Sequence, residues 1–311
     1  MRRPLTLFAS ALVLVAVTVA RAVAADCTNV STGMIPLTDL GTGTYKGMVG
    51  GLYGAGANEL PDAHLTNGLR AAARIVPRDG RGAPNPAGRI VLISIGMSNT
   101  TQEFSAFQEL VRRDAGVSPS LITVDGAQGG MTAADWADPG ADAWSVLDKR
   151  LRAAGVTRAQ VQAAWVKLAN RAYSTPVDTY RAQLEQDWIV TLRNLRDRFP
   201  NLQIAYHSSR IYAGYATSLL NPEPYAYESG FVVKRIIQRQ ISGQLAPRPW
   251  LAWGPYLWAD GLVPRSDGLT WQCSDFQSDG THPSTAGRRK VAQRLLDFLE
   301  SDDTARPWFT R

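Results

Sequence analysis

Three side chains that could together carry out nucleophilic chemistry occur in two separate stretches of the 311-residue chain. Ser98 follows an apolar run, in Gly96-Met97-Ser98, and Asp279 and His282 are three residues apart near the C-terminus. A serine hydroxyl is too weakly acidic to attack a carbonyl alone, so it needs a base to take its proton. A histidine can do so while a carboxylate holds the imidazole in one tautomer. The pattern predicts Ser98 as nucleophile with Asp279 and His282 as its catalytic partners.

Two further residues are candidates for stabilising negative charge. Gly130 follows the second predicted strand and offers an unobstructed backbone N–H, and Asn170 follows the third and offers a side-chain amide. Together with the Ser98 N–H they could form a three-donor oxyanion hole, which binds the charge that develops only in the transition state.

In this order the residues resemble the SGNH hydrolases, also called GDSL-type lipases and esterases. That family has a serine after the first strand, a glycine after the second, an asparagine after the third, and Asp-x-x-His before the last helix. The resemblance runs from about Ile90 to Leu299, and its most specific block is Asp-Gly-Thr-His-Pro, which begins at Asp279. It implies a serine hydrolase that acts on ester bonds through an acyl-enzyme and uses no cofactor.

Two positions depart from the family's pattern. Met97 replaces the usual acid of Gly-Asp-Ser, and Arg171 replaces the acid that usually follows the asparagine. These changes leave two alternatives open. One is a catalytically inactive carbohydrate-binding or envelope protein on the same fold, and the other is an O-acyltransferase that uses the same triad.

The elements that must position these residues alternate between short apolar runs and amphipathic stretches, a pattern typical of a parallel sheet covered by helices. We predict an α/β fold, a three-layer doubly wound sandwich of the flavodoxin-like kind around a roughly five-stranded parallel sheet. The predicted strands are Arg89–Ile95, Leu121–Val124, Ala164–Leu168, Leu202–Tyr206 and Trp250–Trp253. The predicted helices are His64–Ile75, Gln102–Ala115, Thr179–Phe199, Tyr225–Ile241 and one that begins near Ser284 or Thr285.

The chain divides into three predicted regions. Residues 1–25 have the basic start, apolar run and small-residue end of a secretory signal peptide, with cleavage expected after Ala24 or Ala25. A glycine-rich, irregular extension covers 26–88, and the hydrolase domain covers 89–311. We therefore expect a secreted or periplasmic protein with no stable membrane anchor after cleavage; a retained anchor is the weaker alternative, because the apolar run is short for a membrane span.

Composition narrows the possible partners. The formal charge of +6 includes three leader arginines, so about +3 remains after cleavage, and the arginines are dispersed among acids, which argues against a nucleic-acid partner. The two cysteines, Cys27 and Cys273, could form a disulfide in an oxidising compartment or remain as two buried thiols. No group of His, Cys and carboxylate residues has metal-ligand spacing, so we predict neither a metal nor a cofactor.

The substrate is predicted less directly, as a small-molecule or polysaccharide ester. His207 and Arg210 follow the fourth predicted strand and are candidates to line the substrate pocket, whereas His64 is expected to be a structural histidine. Several tryptophans precede the Asp279 loop, Trp258 among them, and exposed rings there could stack on sugars. They point to acetyl groups on carbohydrate, with packing in the core as the alternative. The tryptophans are Trp250, Trp253, Trp258 and Trp271.

Overall fold

The computed structural model describes residues 24–171 and 175–311 of the chain. A small antiparallel hairpin, β1 (Thr44–Tyr45) and β2 (Met48–Val49), precedes the main sheet. The strands of the main sheet are β3 (Ile90–Gly96), β4 (Leu121–Val124), β5 (Val161–Lys167), β6 (Ile204–His207) and β7 (Trp250–Trp253). The α-helices of the described residues are α1 (Leu37–Leu40), α2 (Asp62–Ala72), α3 (Ser98–Val111), α4 (Ala133–Ala137), α5 (Asp142–Ala153), α6 (Val177–Arg198), α7 (Tyr225–Ile241), α8 (Thr285–Ser301) and α9 (Arg306–Phe309).

The main sheet is parallel throughout, with the spatial order β4-β3-β5-β6-β7. The chain leaves β3 in one direction to form β4 and then crosses to the other side of β3 to form β5. In doubly wound folds this reversal opens a crevice outside the carboxyl ends of the strands, where ligands bind. The predicted fold class is therefore confirmed, and the crevice lies at the end of β3, next to Ser98.

Helices cover both faces of the sheet, which explains the composition of its strands. Every residue of β3 and β5 is buried, as expected for parallel strands with no solvated face. Helices α3 and α8 pack against each other. In a second group of helices, α6 packs against both α4 and α7. The apolar residues of α6 recur at helical spacing and lie in the core, with Leu184, Trp188 and Leu195 fully buried.

Some boundaries differ from the sequence predictions. Helix α3 begins at Ser98, four residues before the predicted Gln102, because its first turn is polar and gives no apolar periodicity. Strand β5 begins at Val161 and includes the buried Gln162, whose polarity masked the start of the strand. Helix α5 was not predicted, although its buried Trp144, Leu147 and Leu151 have helical spacing.

The N-terminal segment from residue 26 to 88 contains α1, the small hairpin and α2, and α2 packs against β7. The indole Nε1 of Trp250 donates to the His64 carbonyl at 3.0 Å, and the His64 Nε2 lies 2.8 Å from the Leu251 carbonyl. His64 is thus buried at a structural contact, as expected from the sequence. The boundary at residue 88 between this segment and the predicted hydrolase domain stays a prediction. No helix among the described residues combines the length and apolarity that a membrane span requires.

A fully buried ion pair lies beneath the first turn of α3. The Nζ of Lys167, the last residue of β5, is 2.6 and 2.5 Å from the two carboxylate oxygens of Glu103. Burial lowers the pKa of Lys167 to about 8, although the Glu103 carboxylate acts in the opposite direction. Both side chains are removed from water, so each charge is stabilised mainly by its partner.

We predict that Glu103→Gln destabilises the chain by about 3–5 kcal/mol, because it leaves the Lys167 ammonium buried without a counterion. Urea unfolding followed by circular dichroism measures the effect. Asp148→Asn is the control, since it breaks the more exposed pair with Arg158 and should cost about 1 kcal/mol or less. Equal effects of the two substitutions would contradict this account of the buried pair.

Candidate active site

Ser98 is the first residue of α3 and lies directly beyond the carboxyl end of β3. Met97 is the extended N-cap residue that turns the chain between strand and helix. Gly96 is required just before that turn, because a Cβ at this position would collide with the carbonyl of Lys167 and the side chain of Thr100. The turn leaves the Ser98 side chain only partly buried, facing the cavity at the end of the sheet.

Asp279 and His282 reach Ser98 from the loop before α8. The Ser98 Oγ is 2.8 Å from His282 Nε2, and His282 Nδ1 is 2.5 Å from Asp279 Oδ2. In the neutral imidazole one ring nitrogen donates and the other accepts. A proton on Nδ1 donated to the carboxylate leaves Nε2 free to accept from the serine hydroxyl. The three residues therefore form a continuous hydrogen-bonded chain.

The loop is held in place by Asp279 itself. Its Oδ1 accepts backbone hydrogen bonds from Thr281 at 3.0 Å and from His282 at 2.9 Å. Burial alone would raise the pKa of Asp279, but the hydrogen bonds from the His282 side chain and from these two backbone groups hold the pKa below its ordinary value. From the other side, the Asn99 side chain donates to the Thr281 carbonyl at 3.0 Å and ties the loop to α3.

The loop after β4 brings Gly130 to the same cavity. Gly130 has φ 82°, a left-handed conformation that favours glycine. Asp125, at the start of this loop, accepts a hydrogen bond from Ser94 of β3 at 2.5 Å and another from Thr101 of α3. One carboxylate thus fixes the loop to the strand and the helix on either side of Ser98.

The backbone N–H groups of Ser98 and Gly130 donate to no acceptor within residues 24–171 and 175–311, and both residues line the cavity. They are the donors that an oxyanion would need.

Asn170 has a more constrained position than the sequence predicted. Its Oδ1 accepts from the Ala134 N–H at 3.0 Å, and its Nδ2 donates to Asp187 of α6 at 2.6 Å. An amide nitrogen carries two hydrogens, so one donor remains for the cavity. Asp187 sets the direction in which that donor points.

The five residues Ser98, Gly130, Asn170, Arg210 and His282 all line one cavity of about 80 Å³. This volume is small beside the roughly 300–1,000 Å³ of typical small-molecule sites. The space next to the serine therefore favours a short group.

Two other predicted substrate contacts do not reach the cavity. His207 is buried beside Trp188, whose Nε1 donates to His207 Nδ1 at 3.1 Å. Burial lowers its pKa to about 3, so the ring is neutral. Trp258 is fully buried and donates to Glu223 at 2.7 Å.

The expectation of exposed tryptophan faces is contradicted. Each ring of this group fills part of the core, which was the alternative interpretation, because large aromatic side chains gain most from burial. The buried rings are Trp250, Trp253, Trp258 and Trp271.

The predicted cysteine pair forms a disulfide between Cys27 and Cys273, with the two Cα atoms 5.4 Å apart. Cys273 is six residues before Asp279. The segment around Cys27 also contacts the loop directly, because the Ala25 N–H donates to the Ser278 carbonyl at 2.7 Å. Part of the wall behind Asp279 is thus supplied by the N-terminal segment. Residues 1–23 of the predicted signal peptide lie outside the described residues.

Several residues of the site were not predicted from the sequence. Asp125 follows β4 directly and Asn99 follows the serine, so their positions at strand ends were a usable signal. Asp187 lies within α6, seventeen residues after Asn170, and Asn221 lies in an irregular loop. Only the tertiary structure brings Asn221 to the cavity wall and Asp187 to the side chain of Asn170.

No family model matches the chain, and no curated protein matches it. Several solved structures are similar to it. A protein described as a candidate acylhydrolase, from Bacteroides fragilis, is 11% identical and has a TM-score of 0.40, with 77% of this chain and 96% of that chain covered. A carbohydrate esterase of family 3 from Talaromyces cellulolyticus is 14% identical, with a TM-score of 0.37 and coverage of 66% and 94%.

A GDSL-like lipase from Bacteroides thetaiotaomicron is 8% identical, with a TM-score of 0.37 and coverage of 75% of this chain and 95% of that chain. GDSL-type proteins are the family that the sequence motifs resemble.

The low pKa of Asp279 has a consequence for stability. A carboxyl group whose pKa is lower in the folded than in the unfolded chain stabilises the fold above its unfolded pKa, and this contribution disappears as the pH falls through the folded pKa. We predict that Asp279→Asn lowers the melting temperature at neutral pH and that the difference from the unsubstituted chain shrinks below about pH 4. Thermal unfolding from pH 2.5 to 7 measures this. A difference that stays constant over the whole range would contradict the assignment.

Proposed function

We propose that this protein is a serine hydrolase of ester bonds, with Ser98 as nucleophile, His282 as general base and acid, and Asp279 as the residue that orients the imidazole. The observation that carries the proposal is the hydrogen-bonded chain from Ser98 Oγ through His282 to Asp279, with distances of 2.8 and 2.5 Å. These hydrogen bonds lie at a cavity lined by the Ser98 and Gly130 N–H groups, which have no acceptor among the described residues. An inactive binding protein would have no need of that combination.

The mechanism follows from the positions of the donors and acceptors. His282 Nε2 takes the proton of Ser98 as the oxygen attacks the ester carbonyl. The negative charge on the carbonyl oxygen is stabilised by the N–H groups of Ser98 and Gly130 and by the remaining amide hydrogen of Asn170. His282 then gives its proton to the leaving alcohol, and a water molecule activated by the same nitrogen releases the acid from Ser98.

The size of the cavity supports a short acyl group, with acetyl as the first member of the class to test. A carbohydrate alcohol remains part of the proposal, now without the support of exposed tryptophans. Export remains part of it too, supported by the leader pattern of the sequence and by the disulfide between Cys27 and Cys273.

We predict that Ser98→Ala lowers kcat for p-nitrophenyl acetate by about 10⁴-fold or more, because no other group can form the acyl-enzyme. Release of p-nitrophenol is the measurement, and release of acetate from acetylated xylan tests the carbohydrate substrate. Ser145→Ala is the matched control, since Ser145 is exposed on α5 away from the cavity. A Ser98→Ala enzyme as fast as the control would contradict the proposal.

A second prediction concerns the oxyanion donors. Asn170→Ala should lower kcat by about 10²-fold, the usual effect of removing one such donor. Asp187→Ala should also lower kcat, by about tenfold, with KM little changed, because it misdirects the Asn170 amide rather than removing it. Asp197→Ala is the control on the same helix, where Asp197 is exposed and pairs with its exposed neighbour Arg196. If Asp187→Ala and Asp197→Ala have the same kcat, Asp187 does not position Asn170.

A further inference from the structure

Arg210 lines the cavity beside Ser98, and most of its hydrogen-bonding capacity is unused. The residue follows β6 and is 3% exposed. Its Nη1 contacts the sulfur atom of Met97 at 3.7 Å, whereas Nε and Nη2 have no hydrogen-bond partner among the described residues. A guanidinium carries five N–H donors and stays protonated in proteins, so buried arginines are normally paired with carboxylates or carbonyls.

The nearby carboxylates already have other partners. Glu103 is bound by Lys167, and Asp279 accepts hydrogen bonds from His282 and Thr281. Glu223 accepts from Trp258 Nε1 and from two backbone N–H groups. These carboxylates attract Arg210 through space, but none of them forms a hydrogen bond with it. Nearby carboxylates therefore offset the positive charge of Arg210 only through space. Because the guanidinium is removed from water, a charge without a directly bonded partner destabilises the folded chain there.

A second unpaired polar atom lies in the wall of the same cavity. Asn221 is buried, and its Nδ2 donates to the Asn170 carbonyl at 3.0 Å and to the Tyr180 hydroxyl. Its Oδ1 has no partner within the described residues. Buried polar groups without partners are rare in folded proteins. Since an amide oxygen only accepts hydrogen bonds, Asn221 Oδ1 has no direct part in recognising a carboxylate, and the cation of Arg210 carries that role.

We propose that Arg210 binds a carboxylate of the substrate, so that the enzyme prefers esters whose short acyl group ends in a carboxylate, such as hemiesters of succinic acid. This inference rests on the function proposed above. A guanidinium binds the two oxygens of a carboxylate through two parallel N–H groups. The unpaired Nε and Nη2 of Arg210 have almost no accessible surface, so the guanidinium must rotate slightly toward the cavity when the ligand enters. Ser98 and Arg210 line the same small cavity, which favours a short chain between the ester carbonyl and the carboxylate.

The leaving alcohol must lie near His282, which gives it a proton and whose side chain is 23% exposed. That position places the alcohol toward solvent and leaves the buried side of the cavity to the acyl group. Ser98 Oγ forms a bond to the ester carbonyl carbon, and the bond from that carbon to the alcohol oxygen breaks. Water then cleaves the acyl-enzyme to give the dicarboxylic acid, and no other reactant is needed.

Met97 is consistent with this assignment. The family pattern that the sequence resembles has an aspartate at this position, and a carboxylate here would pair with Arg210 and occupy its donors. The Met97 sulfur atom is only a weak acceptor, so it packs against the guanidinium without neutralising it. The departure from the family pattern thus leaves the cation available to a ligand.

The test compares mono-p-nitrophenyl succinate with its neutral methyl ester, p-nitrophenyl methyl succinate, on the full chain. We expect kcat/KM to favour the charged ester by about tenfold or more, the usual advantage of a hydrogen bond to a charged group. In Arg210→Met the charged ester should lose about tenfold or more, while the neutral ester changes by less than about threefold. Arg171→Met is the matched control, since Arg171 is exposed at the rim of the same cavity, and it should keep the preference.

Equal preference in Arg210→Met and the unsubstituted chain, or an equal loss in Arg171→Met, would overturn the inference. If Arg210→Met fails to fold, inhibition of the unsubstituted enzyme tests the same inference. Monomethyl succinate should inhibit p-nitrophenyl acetate hydrolysis about tenfold more strongly than dimethyl succinate. Equal inhibition by the two compounds would also overturn it.

The two proposals fail in different ways. If p-nitrophenyl acetate is cleaved in a Ser98-dependent manner but the carboxylate confers no advantage, the esterase stands and the role of Arg210 is rejected. If no ester is cleaved, titration calorimetry of monomethyl succinate into Ser98→Ala decides the role of Arg210. Binding that disappears in the Ser98→Ala, Arg210→Met double variant supports it, and absence of binding to Ser98→Ala rejects it.

Discussion

The hydrogen bond between Ser98 Oγ and His282 Nε2 joins residues that are 184 positions apart, and the arrangement of the domain serves to hold these two groups together. Ser98 is fixed by the end of β3 and the start of α3, and His282 by the loop that leads into α8. Helices α3 and α8 pack against each other, so the contact between their N-terminal ends is built into one face of the sandwich. The Asn99 side chain and the Asp279 carboxylate then fix the loop itself.

The interior beneath this contact is unusually rich in charge. Glu103 and Lys167 form a closed pair in which each neutralises the other. Burial raises the pKa of Glu223 to about 7, although it accepts three hydrogen bonds. Arg210 is the buried cation among them whose donors are mostly unpaired within the described residues. Since a charge in a low-dielectric site acts strongly on anything that enters, we expect this region to favour ligands of complementary charge.

The site residues that could be predicted from the sequence are those that directly follow a strand or that lie a few residues apart in the chain. Ser98, Gly130 and Asn170 each follow a strand, and parallel strands bring their carboxyl ends to one edge, so their convergence could be predicted. Asp279 and His282 could be predicted as a pair because they are only three residues apart in the chain. The five strands could be located because each contains a short, largely apolar run, as expected for strands of a parallel sheet covered by helices.

The remaining features depend on contacts between distant segments. The partner of Asn170 is a carboxylate within α6, and no local pattern distinguishes Asp187 from the other acids of that helix. The burial of Trp258 follows from its contact with Glu223, which is thirty-five residues away. Arg210 could be placed near the site from its position after β6, but its lack of a partner is a property of the packed interior.

Covalent labelling with a fluorophosphonate tests the central claim most directly. Such a reagent is attacked by a serine that is activated by a neighbouring base, with loss of fluoride. The account predicts one phosphonyl group per chain, located on Ser98 by peptide mass spectrometry, and no labelling of His282→Ala under the same conditions. Labelling of a different serine, or an unlabelled chain that is fully folded, would contradict it.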